Sequence, residues 1–471
     1  MKPMKPMKPL KIGLLPLYVL LYDDHWPELR ERVDAFHGTI EGELRGKGLD
    51  VVTVPPCRVK PEFEAAIAGF ERESVDAVVT LHLAYSPSLE SIGALAATKL
   101  PLVVLDTTPT YEFGPSQLPD EIMYNHGIHG VQDMCNLLLR RGKTFQIEAG
   151  HWSRSDVLDR VVKGVRAARI ADGMRTAKVG RLGRPFAGMG DFEVPTDTMR
   201  KAIGIETVEF DLTEGRTPFA EMQITDEQIE EERVSDRDRF EIGELNERLY
   251  RQSTAACLKV RQLTEQHGLT AFTVNFMDIT KSSGLSCMPF LEAGKAMARG
   301  VGYAGEGDVL TAALVGALLS VYPDTSFAEM FCPDWENNRV FVSHMGEMNL
   351  RVAAGKPALL EKAFPFTDAD APVAAYAAFR GGQAVYACLA PAKDDSFTLI
   401  LSDVEMLDTQ GLDRMPETIR GWFAPRLPVS DYLAAFSRNG GIHHGVIVYG
   451  DVLPVLERFG ELMGWKVVSI G

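Results

Sequence analysis

The chain has 471 residues, 45% of them hydrophobic and 24% charged, with a mean hydropathy of -0.05; it is too long for one core and has the composition of about two to four folded domains. With 49 Lys and Arg against 65 Asp and Glu, the net charge of -16 excludes a nucleic-acid backbone or an anionic membrane surface as partner, and no apolar run reaches the length of a membrane span. The six cysteines are scattered without a Cys-x-x-Cys pair, so neither a disulfide framework nor a zinc knuckle is expected, and a reducing cytoplasm fits.

Residues 1–9 repeat Met-Lys-Pro without the apolar stretch of a signal peptide and read as a flexible tail. From Leu10 strand and helix alternate: strand Lys11 to Leu15, helix Pro27 to Lys47, strand Val51 to Val54, helix Pro61 to Arg72, strand Ala77 to Leu83, helix Ser86 to Thr98 and strand Leu102 to Leu105. This alternation predicts a parallel, doubly wound sheet over 10–170, whose ligands sit beyond the carboxyl ends of the strands. Tyr18, His82 and the Asp106-Thr107-Thr108 loop fall there.

A second α/β domain is expected over 171–324. Helix Val157 to Ala171 leads into it, strand Ala177 to Leu182 opens it, strand Thr207 to Asp211 and the long helix Ile242 to His267 follow, and strand Thr270 to Phe276 and helix Pro289 to Arg299 come last. The charged run Asp226 to Arg239 reads as a solvated helix face. Over 325–471 helices nearly vanish and short β-type runs take over: Arg339 to Val342, Ala374 to Arg380, Gln383 to Leu389 and Phe397 to Ser402. The Gly381-Gly382 pair reads as a hairpin turn, and the whole as an antiparallel β-barrel or sandwich closed by a helix from Val452 to Met463.

Val301 to Asp308, Val-Gly-Tyr-Ala-Gly-Glu-Gly-Asp, presents Glu306 between glycines that allow a sharp turn and close approach, with Asp308 placed to cap the apolar run Val309 to Leu319. Spacing alone fits a solvent-facing loop glutamate or a phosphate cradle as well, although no Lys-Ser/Thr follows the glycines. Glu329 stands among Phe327, Ala328, Met330 and Phe331, where a buried carboxylate needs a partner. His344 lies in an apolar strand, and in the His443-His444 pair strand alternation lets only one ring face a common site. Glu306, Glu329, His344 and His444 together form a donor set for a divalent ion such as Mn2+. His126 and His129 are spaced to share a helix face.

These residues resemble the L-arabinose isomerase and L-fucose isomerase family, from about Leu10 to the C-terminus. Thr-Val-Asn-Phe (273–276), Gly-Tyr-Ala-Gly-Glu-Gly-Asp (302–308), Ser-Phe-Ala-Glu (326–329), Ser-His-Met (343–345) and Gly-Ile-His-His (441–444) are similar to its motifs and follow its order, and Gly150-His151-Trp152 matches a further segment. The resemblance implies that Glu306, Glu329, His344 and His444 hold Mn2+ or another divalent cation, that both glutamates act as acid and base, and that His443 faces outward. It further implies that Tyr18, His126, His129, Thr273 and Phe276 line a sugar pocket, and that the chain forms a homotrimer or homohexamer whose sites are shared between copies. Pro16 stands where L-arabinose isomerases place a glutamine, and His126 replaces another.

Moving a proton between C1 and C2 of a sugar through a cis-enediol needs a base, an acid and a cation, which two carboxylates around one ion supply. The expectation is an aldose–ketose isomerase acting on a free pentose or 6-deoxyhexose. Against it stand a sugar-binding or sensor protein built from two α/β lobes, which would need neither both glutamates nor the β portion after Thr325, and a metal-dependent lyase or hydrolase using the same ligands.

Overall fold

The computed structural model describes residues 8–409 and 411–471, so most of the tail expected over residues 1–9 lies outside the described residues. Two units divide the chain, one closing at Arg169 and the other running from Ile170 to Gly471. In the first, five parallel strands stand in the order Asp50–Thr53, Lys11–Leu17, Ala77–His82, Leu102–Asp106, Gln146–Ala149. The strand order reverses between Lys11–Leu17 and Ala77–His82, the position where such sheets open a crevice, and Tyr18 and His82 lie at that edge. Ala77–His82 is buried throughout, which is why it reads as a continuous apolar run rather than an alternating one. The sequence reading passed over Gln146–Ala149, whose Gln-Ile-Glu-Ala has little strand character of its own.

The second unit repeats the device with four parallel strands in the order Gly302–Gly305, Ala271–Val274, Lys178–Leu182, Glu206–Phe210. After it, Gly382–Pro391, His444–Tyr449, Thr325–Asp334, Arg339–Ser343, Gly421–Pro425 and Phe397–Met406 pair antiparallel in that order, and Phe397–Met406 returns to Gly382–Pro391 to close a six-stranded barrel. Closure leaves the barrel without a bare edge in that ring, and Lys466–Ile470 joins Phe397–Met406 in parallel outside it. The helix Val309–Leu319 is apolar around its whole circumference because it is covered on both sides, by the parallel sheet and by barrel strands Thr325–Asp334 and His444–Tyr449. Its first turn follows Glu306, so the loop bearing that carboxylate is fixed against the barrel. Gly302 admits this packing: a Cβ there would lie 2.4 Å from Ala312 O.

Three expectations give way. Gly381-Gly382 is no hairpin turn: Val373–Tyr376 pairs with Ala358–Glu361 in a separate three-stranded sheet with Glu241–Ile242, and Gly381 is small because Asp408 backbone packs against it. The helix Asp226–Arg239 is not solvated all round, since Glu232 and Asp236 are buried against Lys295 and Arg261. The β portion also carries the helix Val429–Arg438, whose buried Val429, Tyr432 and Phe436 give a helical stripe that short β-type runs on either side obscured.

Candidate active site

Strand Gly302–Gly305 delivers the chain to Glu306, whose backbone sits at φ 62°, a left-handed conformation that a non-glycine residue holds only where its surroundings impose it. Its N–H donates to Val274 O (2.9 Å) and its carbonyl accepts from Phe186 N (3.0 Å). Thr273 Oγ1 donates to Gly305 O and accepts from Gly307 N, both at 3.0 Å. Gly307 passes Arg184 so closely that a Cβ would stand 2.8 Å from its carbonyl oxygen.

The barrel supplies the other side. Glu329 is in register with His444 on one neighbouring strand and with Ser343 on the other, and His344 follows Ser343, so three adjacent strands bring Glu329, His344 and His444 together. Directly paired residues point to the same face of a sheet. Phe327, two residues before Glu329, sets its ring edge-on to both imidazoles, 4.8 Å from His344 and 5.1 Å from His444 between centroids.

Ligand-type atoms of Glu306, Glu329, His443 and His444 all lie within 4.8 Å of one another. His444 Nε2 is 3.1 Å from Glu329 Oε1 and 3.6 Å from Glu306 Oε2, and His443 Nε2 is 3.5 Å from Glu306 Oε2. Glu306 Oε2, Glu329 Oε1, His443 Nε2 and His444 Nε2 are each buried without a well-formed hydrogen bond. Four polar atoms left unsatisfied around one point is costly unless something else satisfies them, and a divalent cation fits such a donor set. His344 Nε2 approaches the same Glu329 Oε1 at 3.1 Å.

Each imidazole is held from behind by a carboxylate on Nδ1: Glu347 Oε2 at 2.6 Å for His344, Asp308 Oδ2 at 2.8 Å for His444, Asp191 Oδ2 at 2.6 Å for His443. A carboxylate at Nδ1 fixes the proton there and aims Nε2 at the cluster, the arrangement that orients metal-binding histidines. Phe192 stacks on His444 at 4.8 Å and 11°. Glu347 also accepts from Tyr303 Oη (2.6 Å), and Asp308 keeps its capping bond from Thr311 N (2.9 Å).

The electrostatics invite a cation. Burial opposes ionisation of both glutamates, yet His443 and His444 hold the Glu306 carboxyl down at about 2, and His344 and His444 hold that of Glu329 well below the usual carboxylate range. Burial likewise opposes a charged His344, but Glu347 and Glu329 push it up to about 10; Asp308, Glu306 and Glu329 raise His444 well above its ordinary value. The cluster keeps its carboxylates ionised and gathers positive charge onto the rings, a demand that a bound cation meets in place of protons.

The strand alternation expected for the histidine pair does not hold. The strand begins at His444, so His443 belongs to the preceding turn and its ring, 4.3 Å from that of His444, also reaches Glu306 instead of facing outward.

The family model for the L-arabinose isomerase central domain matches residues 219–322, and that for the C-terminal domain matches residues 324–466, together more than half of the chain. The chain belongs to the L-arabinose isomerase family. L-arabinose isomerase of Anoxybacillus flavithermus is 27% identical, the match covering 94% of this chain and 90% of that one. The enzyme of Geobacillus kaustophilus is 27% identical over 84% of this chain and 81% of its own length. A solved periplasmic sugar-binding protein of Legionella pneumophila, 9% identical over 66% of this chain and 93% of that one, reaches a TM-score of 0.16, which carries no argument.

The remaining expected site residues fall in two places. In the first unit Tyr18 is fully buried, and His126 lies between Tyr22 Oη (3.2 Å from Nδ1) and His129 (Nε2 to Nδ1, 2.7 Å). In the second, Thr273 is fully buried with its hydroxyl engaged by the Glu306 loop, while half-buried Phe276 stacks on Phe186 at 5.2 Å. Sequence reasoning missed Asp191, Phe192 and Glu347. Only Glu347 left a signal, three residues after His344. A cavity of about 710 Å³ opens beside Arg184 and Asp278; Arg184 pairs there with Asp278 and Arg181 with Glu209, and Asp211 and Glu214 add two further acids to its lining.

Proposed function

We propose that the protein is a metal-dependent isomerase interconverting a free aldose and its ketose, of the pentose or 6-deoxyhexose class. Family membership carries the coarser statement that it is an aldose–ketose sugar isomerase. The finer reading rests on one observation: two carboxylate and two imidazole atoms converge, buried and without hydrogen bonds of their own. The relatives compared carry the L-arabinose isomerase name; L-arabinose itself and 6-deoxy sugars such as L-fucose are candidate substrates.

Glu306, Glu329 and His444, with His344 or His443, would hold Mn2+ or another divalent cation. Such an ion, when bound, stabilises negative charge developing on the sugar oxygens. Glu306 stands on a clamped loop and Glu329 on a barrel strand; one would take the proton from carbon while the other handles the hydroxyl proton. Both carboxyls are held ionised, the state from which a proton acceptor must start. The ring of Phe276, packed on Phe186, offers an apolar flank for the sugar's carbon face. Tyr18, His126 and His129 of the first unit are assigned to sugar contact, in a homotrimer or homohexamer of cytoplasmic location.

The test is incubation of metal-stripped and Mn2+-loaded protein with pentoses, 6-deoxyhexoses and their ketoses, followed by NMR. Interconversion only with the ion, faster with Mn2+ than Mg2+ because imidazoles favour the softer ion, and most turnover lost in Glu306→Gln and Glu329→Gln, is the expected result. Full turnover by metal-free protein, or preference for a sugar phosphate, would overturn the reading.

A further inference from the structure

Thr273 carries a hydroxyl in the middle of the parallel sheet, on strand Ala271–Val274, with none of its surface exposed. A hydroxyl buried there must be satisfied locally, and it is satisfied in one way: Oγ1 donates to Gly305 O and accepts from Gly307 N, 3.0 Å each. These two residues bracket Glu306, so the hydroxyl staples the two ends of a three-residue turn. That turn is strained. Glu306 sits at φ 62° and Gly307 at φ 86°, and a glutamate stays in the left-handed region only where its surroundings impose it. Relaxation of Glu306 toward an ordinary extended conformation would swing its carboxylate away from His443 and His444, which Oε2 now approaches at 3.5 and 3.6 Å. The neighbouring contacts are also tight, since a Cβ on Gly305 would lie 3.0 Å from His344 Cε1. The backbone bonds from Glu306 N to Val274 O and from Phe186 N to Glu306 O hold the residue itself, Asp308 N closes the turn onto Gly305 O (3.0 Å), and the Thr273 hydroxyl adds a side-chain clamp on Gly305 and Gly307 from the neighbouring strand.

We propose that Thr273 is a positioning residue for the catalytic loop, holding Glu306 in its left-handed conformation through the Gly305–Gly307 staple, and that its hydroxyl does not contact the sugar. The side chain has no exposed surface, and the oxygen has both its donor and one acceptor position spent on the loop. The consequence for metal and turnover rests on the isomerase reading above; the staple itself does not.

The experiment compares Thr273→Val, which keeps the shape and removes the hydroxyl, with Thr273→Ser, which keeps the hydroxyl, and with Thr273→Ala in case valine does not fold. Amide hydrogen exchange at Gly307 reads the staple directly and needs neither metal nor sugar: protection is expected in the parent and in serine, and loss in valine and alanine. Calorimetric Mn2+ titration should show affinity falling about 10–100-fold in valine and alanine with near-parental affinity in serine, as for other residues that orient metal ligands. In turnover at saturating Mn2+, kcat should fall with KM for the sugar little changed. Unchanged Gly307 exchange in valine and alanine overturns the staple. A raised KM with kcat and Mn2+ affinity intact would make Thr273 a sugar contact instead and overturn the proposal as well. If the parent binds no Mn2+ and isomerises nothing while Gly307 exchange responds as described, it is the isomerase reading that fails and the staple that stands.

Discussion

Glu329 and His444 face each other on hydrogen-bonded antiparallel strands, and His444 Nε2 reaches Glu329 Oε1 at 3.1 Å. Because the two are locked by strand register, the distance between them is set by the barrel rather than by side-chain flexibility, and a slip of one residue would turn both away. The ring's other nitrogen is tied to Asp308, itself the cap of the helix that follows Glu306. One aspartate thus connects the loop glutamate's helix to the barrel histidine.

Asp308→Asn separates these two duties. Asparagine still caps through its single oxygen, but its amide then faces His444 Nδ1, reversing the tautomer and placing a proton on Nε2. Mn2+ affinity should fall about 10–100-fold, with unfolding free energy changed by about 1 kcal/mol. Calorimetry and urea titration check it, and unaltered Mn2+ affinity would remove His444 from the ligand set.

Much of this arrangement was legible in the sequence. Strand and helix alternation gave the parallel sheets, because buried parallel strands are continuous apolar runs, and Gly-Glu-Gly-Asp before an apolar helix marked Glu306 and its cap. What escaped depended on long-range packing. Asp191 and Phe192 meet His443 and His444 only through tertiary folding, and nothing local in Gly190-Asp191-Phe192 announces it. His443 was misassigned because alternation was applied one residue before the strand starts. Glu232 and Asp236 looked solvated because their partner Lys295 sits on a distant helix.

That buried set carries a stability prediction. Lys295 Nζ contacts Glu232 Oε1 at 2.7 Å and Asp236 Oδ1 at 2.5 Å, and Arg261 joins Glu232 to Glu292. Burial already pushes the Asp236 carboxyl up even with Lys295 beside it. Lys295→Met leaves two acids without their ammonium partner and should cost about 3–5 kcal/mol in urea unfolding. Adding Asp236→Leu should recover part of the loss. A cost under about 1 kcal/mol would mean that water reaches the acids.

His82 predicts a pH effect. Its ring is buried with neither nitrogen hydrogen-bonded, and burial holds its pKa down at about 3 instead of 6.5. Between these values the unfolded chain binds one proton that the folded chain does not, so stability falls as pH falls, by about 1.4 kcal/mol per unit for this group. His82→Leu removes the proton from both states. Urea titrations between about pH 6 and 4.5 should show the parent losing stability faster than the variant by that slope; parallel losses would mean that the ring protonates in the folded state.

Assembly supplies the last prediction. His126 and His129 belong to the first unit, and Tyr111, Phe113, Leu118, Ile122 and Ile128 leave large apolar side chains exposed in the segments around them. Exposed apolar residues gathered in one stretch of chain mark an interaction surface, and the family resemblance implies that this surface meets a second copy and completes its site there. The protein should therefore sediment as a trimer or hexamer. His129→Ala and Glu306→Gln should each be inactive alone, and mixing them after dissociation and reassembly should restore part of the activity, because some interfaces then carry an intact histidine from one copy and an intact glutamate from another. Mixed oligomers that form and stay inactive, an active monomer, or full activity in His129→Ala alone would each rule out sites shared between copies.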